Sequence, residues 1–182
     1  MVQVYCRLVA LPDPSSAPAP WLAASESEQA AHLRRLVQID GLTGVALRPR
    51  FLRQLQQRLD DPAGRRAALL LVRLPELDIL NRRCGRDSTD RLLQAVAAVL
   101  LTYEDRVPGS FAGRLNGSEF ALCLPVCGVA RETAASLYEA LATLPGVRNT
   151  GATLLIGGID GLPPAGTGAA LAAAEATLAS SG

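Results

Sequence analysis

Residues Arg114 to Pro125 read RLNGSEFALCLP. Asn116-Gly117 is a dipeptide that reverses a chain, and apolar residues lie on both sides of it. "SFAGRL" before the turn and "EFALCLPV" after it therefore predict a β-hairpin. Ser118 and Glu119 stand between the turn and the apolar run that Phe120 begins. A glycine beside small polar residues, followed by an acid, is also how a tight turn presents a carboxylate to a ligand. The hairpin thus raises a question of chemistry as well as of fold.

Upstream, "RRAALLLVRL" is a short apolar run bounded by charge, which suits a strand buried on both faces. "RPRFLRQLQQRLDDPAG" places Phe51, Leu55 and Leu59 at helical spacing, with Pro62 and Gly64 as stops. "PELDILNRRCG" reads as a short helix ending at Gly85. "DSTDRLLQAVAAVLLTYE" reads as a longer helix that opens on a capping residue, with Leu92, Leu93, Val96 and Leu100 on one face. Downstream follow a helix in "ARETAASLYEALATL", a strand in "GATLLIGGI" and an Ala-rich helix in "TGAALAAAEATLASS". This order predicts a central sheet with helices packed against it, in the α/β or α+β class.

The N-terminal part has a different character. Residues 2–10 alternate like a strand, and "LPDPSSAPAP" is a Pro-rich linker. A helical pattern then runs from about Ser25 to Gln38, and Asp40-Gly41 ends it. The expected division is 1–38 as strand, linker and connector helix, and 39–182 as the domain.

Composition narrows the function. The chain has 182 residues, of which 49% are hydrophobic, enough for a sizeable core. A net charge of +1 gives no broad field for nucleic acid or an acidic membrane, and 4% aromatics leave few platforms for stacking bases. No apolar run is long enough to span a membrane. All 18 basic residues are arginine. A mechanism that needs a lysine on a phosphate therefore cannot run here, since guanidinium and ammonium are different tools. Cys6, Cys84, Cys123 and Cys127 show no zinc-ligand spacing and read as small buried hydrophobes. His32 is the one histidine, so a His-rich metal site is excluded.

Four segments, in order from roughly Leu33 to the end, make the chain resemble the GGDEF domain, the diguanylate cyclase domain that condenses two GTP into cyclic di-GMP. "DGLTGVALRPRF" is similar to the family's opening D-x-L-T-G-L-x-N-R-R-x-F. "LLLVRLPELDILNRRCGRDSTDRLL" is similar to its strand followed by D-x-D-x-F-K-x-x-N-D-x-x-G-H-x-x-G-D-x-x-L. "RLNGSEFALCLP" resembles the motif turn itself, and "TLLIGGI" with "LAAAEATL" resembles the late strand and terminal helix. The resemblance implies a nucleotidyl cyclase-like fold with a central mixed five-stranded sheet flanked by helices.

In the family, a divalent metal is held by an Asp at the end of the first core strand and by the acid at the third position of the motif turn. Hard oxygen ligands suit Mg2+, which neutralises charge moving between phosphates. The matching positions here are Arg73 and Ser118, and the second acid of the D-x-D is Pro75. An arginine cannot deprotonate to become a ligand. The motif Asn116, Gly117, Ser118, Glu119, Phe120 is thus degenerate: no catalytic residue, metal or other cofactor is expected. Asp78 replaces the family's lysine, Asn116 its first motif glycine and Leu47 its conserved Asn. The inhibitory R-x-x-D falls on Val107 and Ser110, so no product-binding inhibitory site is expected. The family's Lys and Arg after the terminal helix have no counterpart, and the ending at Ser-Ser-Gly reads as a piece of a longer protein.

Asn81 and Asp90 match the family's guanine-binding Asn and Asp. Two readings stand. They could hold the guanine of GTP without turnover, or Asn81 could cap its helix's end while Asp90 sits in the first turn of the next helix. Arg73 could contact a phosphate or pair with Glu119 or another acid. Glu119 itself reads as a polar end to the strand that Phe120 anchors.

Three functions follow. One is an inactive GGDEF domain acting as a regulatory or interaction module in cyclic di-GMP signalling, with an EAL-type phosphodiesterase domain, another signalling protein or a second copy of the chain as partner. The second is a divergent active cyclase, and the third a protein-interaction scaffold that binds no nucleotide. The resemblance implies a cytoplasmic placement, alone or within a larger membrane-associated protein, with no nucleic-acid partner and no direct membrane insertion by this segment.

Overall fold

The computed structural model describes residues 38–179. The expected strand at 2–10, the Pro-rich stretch and most of the helix from Ser25 lie outside them, as do Cys6 and His32. The described elements run β1 (Ala46–Leu47), α1 (Arg48–Asp60), β2 (Ala68–Arg73), α2 (Leu77–Cys84), α3 (Arg86–Arg106), β3 (Phe111–Arg114) and β4 (Glu119–Leu124). They continue as α4 (Ala130–Ala142), α5 (Pro145–Thr150), β5 (Leu155–Asp160) and α6 (Thr167–Ala179).

The sheet has five strands in the order β1-β3-β4-β2-β5. β1 runs parallel to β3, and every other pairing is antiparallel, so the sheet is mixed as expected. Its fifth strand is the two-residue β1, which sequence periodicity did not reveal. α5 was also not foreseen; it is six residues long and starts at Pro145.

β2 lies in the middle and shows why its sequence is apolar throughout. Ala68, Leu70 and Val72 pack with Leu80, Leu92, Val96, Leu100, Leu137 and Leu141 from α2, α3 and α4. Leu69 and Leu71 point the other way, into a second core with Phe51, Leu55 and Leu59 of α1 and Ala170, Leu171, Ala174 and Leu178 of α6. Alternation thus feeds two cores from one strand. β4 does the same, sending Phe120 and Leu122 to the first core and Ala121 and Cys123 to the second. Phe120 is fully buried, which contributes about 2–3 kcal/mol.

Two junctions position the parts that matter below. Gly85, with φ 82°, ends α2 and starts α3, so α3 begins at Arg86 with a glycine N-cap. The expected side-chain cap at the start of "DSTD" is therefore not used; Asp87 already lies within the first turn. The start of α4 has no cap from its own segment. Instead Asp160, at the end of β5, accepts hydrogen bonds at Oδ1 from the backbone N–H groups of Gly128 (2.6 Å), Val129 (3.0 Å) and Ala130 (3.2 Å).

Of the cysteines, Cys123 behaves as a buried hydrophobe, and burial pushes its thiol up to about 12, against a small opposing effect of the Arg58 charge. Cys127 is exposed and Cys84 half-buried, so the expectation of burial fails for both.

Candidate functional site

The hairpin register brings the site together. In the β2–β4 ladder Arg73 pairs directly with Glu119. Both are at the end of alternating runs that face α6, and Glu175 of α6 comes within 3.9 Å of Arg73. Arg73 Nη2 donates to Glu119 Oε1 at 2.8 Å. Glu119 is only 4% exposed, so its charge needs this partner. Its second oxygen, Oε2, accepts from Asn116 Nδ2 at 2.8 Å. One carboxylate is thus held by a cation on the neighbouring strand and an amide in the hairpin turn.

The turn is fixed by its own side chains. Asn116 Oδ1 accepts from the Ser118 N–H at 3.0 Å, an Asx turn. The Leu115 N–H donates to the Glu119 carbonyl at 2.8 Å, closing the hairpin. The Leu74 N–H donates to the Ser118 carbonyl at 2.8 Å and ties the turn to the end of β2. Arg114 reaches across the loop: its Nε donates to the Asn116 carbonyl at 3.2 Å and its Nη2 to the Gly117 carbonyl at 2.7 Å. The same guanidinium lies 5.7 Å from the Phe120 ring centroid.

Arg114 also pairs with Asp40, through Nη1 to Oδ2 at 2.9 Å. Asp40 further accepts from the Thr43 hydroxyl. Burial alone would raise the Asp40 carboxyl, but the hydrogen bonds from Thr43 and Arg114 and the Arg114 charge outweigh it and hold the carboxyl below its ordinary value. Sequence reading took Asp40-Gly41 as a helix stop and as the opening of the first family-like segment, with no ion-pair partner foreseen for Asp40. The partnership with Arg114 is separated by 74 positions and has no local signal.

The residues at the family's metal positions do not fit a divalent cation. Arg73 presents a permanent positive charge already engaged by Glu119, and Ser118 offers a hydroxyl 3.4 Å from Asn116 Oδ1. Among the described residues, no group of three or more His, Cys, Asp and Glu side chains is placed to share a metal ion. Pro75 follows, and Glu76 takes a left-handed φ of 61°, a conformation that costs a non-glycine residue about 1–2 kcal/mol. This bend aims the chain from β2 into α2.

Asn81 and Asp90 lie on α2 and α3, outside the Arg73–Glu119 cluster. Both are half-buried, and neither side chain makes a hydrogen bond or ion pair among the described residues. The cap at the end of α2 is made by the Asn81 backbone carbonyl, which accepts from the Gly85 N–H. Any residue could supply that carbonyl. Asp90 lies beyond the first turn of α3, because the helix starts at Arg86. The capping roles expected for these two side chains are therefore not what the structure shows. Asp78 pairs with Arg82 on the exposed face of α2 at 3.2 Å. Val107 ends α3, and the Ser110 hydroxyl lies 2.8 and 2.7 Å from the carbonyls of Tyr103 and Val107.

Comparison with known proteins agrees with this architecture. Residues 37–157 match the family described as Diguanylate cyclase, GGDEF domain. The RNase E specificity factor CsrD of Escherichia coli is 29% identical over 117 residues, which cover 62% of this chain and 18% of that protein. The chain thus spans less than a fifth of the length of that curated relative. The coiled coil and GGDEF domain of DgcB from Caulobacter crescentus, solved in complex with c-di-GMP, superposes with a TM-score of 0.73 at 23% identity, covering 88% of each chain. The S helix-GGDEF-EAL segment of Vibrio cholerae LapD gives a TM-score of 0.72 at 16% identity, covering 87% of this chain and 37% of that one. Among the described residues no helix is long and apolar enough to cross a membrane.

Proposed function

This chain belongs to the diguanylate cyclase GGDEF domain family, and we propose that within it the chain is a regulatory or interaction module that does not cyclise GTP. The observation that carries this is the 2.8 Å pair between Arg73 and Glu119, with Ser118 beside it. Cyclisation in the family needs carboxylates to hold a divalent metal, whose positive charge acts on the phosphate oxygens. Here the position of one family ligand is a cation, the other is a hydroxyl, and the remaining acid is buried and already neutralised. The hairpin keeps its packing and its register, so what the family uses as a catalytic turn serves here as a rigid, exposed loop on an intact sheet.

The relatives support a regulatory role. One is named as a specificity factor for RNase E. Another joins its GGDEF domain to an EAL domain in one chain. We take the partner to be an EAL-type phosphodiesterase domain or another protein of cyclic di-GMP signalling, and the placement to be cytoplasmic.

The test is direct. Purified protein with GTP and Mg2+ or Mn2+ is expected to form no cyclic di-GMP. Synthesis that disappears on mutating Ser118 or Glu119 would overturn the proposal in favour of a divergent cyclase.

A second reading has its own observation. The Asn81 and Asp90 side chains are free of partners among the described residues. An amide and a carboxylate are the groups that read the O6 and N1/N2 edge of guanine, so the module retains the means to hold GTP without turning it over. Calorimetry with GTP, with and without Asn81→Ala, checks it. No heat from either protein leaves the pure interaction scaffold as the function.

A further inference from the structure

We propose that the Asn116-Gly117 turn modifies itself, losing ammonia from the Asn116 side chain in water to give an aspartyl or isoaspartyl residue. The turn assembles what that reaction needs. Gly117 is exposed, and a Cβ built on it would meet nothing within 4 Å, so its nitrogen is uncrowded. Its N–H has no acceptor among the described residues and is available to lose a proton.

The electrophile belongs to the same closed turn as that nitrogen. The bond from the Ser118 N–H to Asn116 Oδ1, at 3.0 Å, closes a ring that contains both Asn116 Cγ and the Gly117 nitrogen. Holding the reacting atoms near each other removes entropy from the barrier. Charge is also anticipated. When Cγ is attacked, Oδ1 becomes an oxyanion, and two donors face it: the Ser118 N–H, and the Ser118 hydroxyl at 3.4 Å. On the nucleophile's side, the Arg114 guanidinium donates to the Asn116 carbonyl at 3.2 Å. That carbonyl belongs to the same peptide as the Gly117 N–H, so a cation on its oxygen makes the N–H more acidic. A cleft of about 310 Å³ lined by Asp40, Arg114, Asn116 and Gly117 gives water access.

The step balances without an oxidant or reductant. Hydroxide takes the Gly117 N–H proton, the nitrogen pair bonds to Asn116 Cγ, and the Cγ–Nδ2 bond breaks. Nδ2 takes a proton from water and leaves as ammonia, regenerating hydroxide. Water then opens the five-membered imide at either carbonyl. Net, one water enters and one ammonia leaves. The consequence falls on Glu119: Nδ2 donates to its Oε2 at 2.8 Å, and the product carboxylate has no proton to give. A buried acid then exchanges a hydrogen-bond donor for a like charge, with Arg73 as its one remaining cation among the described residues.

The experiment incubates the full chain in mildly alkaline buffer, folded and in guanidinium, and follows the Asn116 peptide by mass spectrometry with separation of aspartyl from isoaspartyl forms. Asn116 is expected to convert about tenfold faster in the folded chain than in the unfolded one, while Asn81 and Asn149 persist. Equal or slower conversion in the folded chain overturns the proposal. Arg114→Gln, checked for folding by circular dichroism, is expected to slow conversion several-fold; conversion at the parent rate in a folded variant overturns the role given to Arg114. Where that variant does not fold, the comparison of folded and unfolded parent chain decides alone.

Discussion

Arg73 and Glu119 stand opposite each other in the β2–β4 ladder, and their side chains meet at 2.8 Å across the place where the family's cyclases use acids. The guanidinium is about a third exposed and the carboxylate almost wholly buried, so their substitutions should differ. Glu119→Ala removes the partner of Arg73 and the acceptor of Asn116 together. It is expected to destabilise the domain by about 1–2 kcal/mol, a value reduced from that of a fully buried pair because water reaches Arg73. Arg73→Ala, which leaves a buried acid with one amide donor, should cost at least as much. Chemical denaturation measures both, and a change within about 0.5 kcal/mol for each would show that the pair does not hold the hairpin.

Replacing Arg73 with Asp and Ser118 with Glu places three acids at the turn, counting Glu119. In the absence of metal this double variant should be less stable than the parent. Added Mn2+ should recover stability, by about 2.7 kcal/mol at a concentration one hundred times the dissociation constant. Thermal melts with and without the ion read this out. A variant indifferent to Mn2+ would mean that the retained scaffold no longer shapes a cation site.

The Asp40 carboxyl is held below its ordinary value of 3.8 by Thr43 and Arg114, which outweigh its burial. A depressed folded value means that the unfolded chain takes up a proton first as pH falls. The stabilisation is therefore complete above 3.8 and is lost as pH falls through the folded value. Asp40→Asn should lower stability at neutral pH and flatten its acid dependence below 3.8. Denaturant midpoints taken from neutral to strongly acidic pH check the sign, and parallel curves for parent and variant would refute it.

Gly113 lies in β3 where a Cβ would stand 2.7 Å from Phe51 Cβ. That atom is fixed to the α1 backbone and cannot swing away. Gly113→Ala should cost about 1–3 kcal/mol through overpacking, visible as a lower denaturation midpoint. The same substitution at Gly117, which has open space around it, should be nearly silent.

Asn81→Ala and Asp90→Ala remove side chains without partners among the described residues. Each is expected to shift stability by less than about 0.5 kcal/mol and to weaken GTP binding in calorimetry. A large stability loss with unchanged binding would assign both residues to the fold.

Much of this was legible in the sequence, for reasons that differ by element. β2 and β4 were readable because strands buried on both faces are apolar along their whole length, as Ala68 to Val72 and Phe120 to Leu124 are. Phe51, Leu55 and Leu59 showed the spacing of α1 and are its buried residues. β1 was hidden because two residues carry no periodicity, and its pairing of Ala46 with Gly113 is a long-range event. The α3 boundary was misplaced because Gly85, with its positive φ, does the work assigned to a polar cap. At the site, the pairing of Arg73 with Glu119 was one of the alternatives the sequence left open for Arg73. The clamp of Arg114 on Asp40, Asn116 and Gly117 was not, since each contact depends on how the hairpin sits beside the 40–44 turn.

The bond from Asp160 to the start of α4 has a consequence for how the domain assembles. The three N–H groups at Gly128, Val129 and Ala130 find their acceptor about thirty positions later in the chain. Until β5 docks against β2, α4 lacks its cap and the sheet lacks its edge strand, so the two arrive together. A chain that stops at Thr150 lacks the carboxylate that accepts from these three N–H groups. The last strand therefore works as a latch: it supplies the sheet's edge and, through Asp160, the cap of α4.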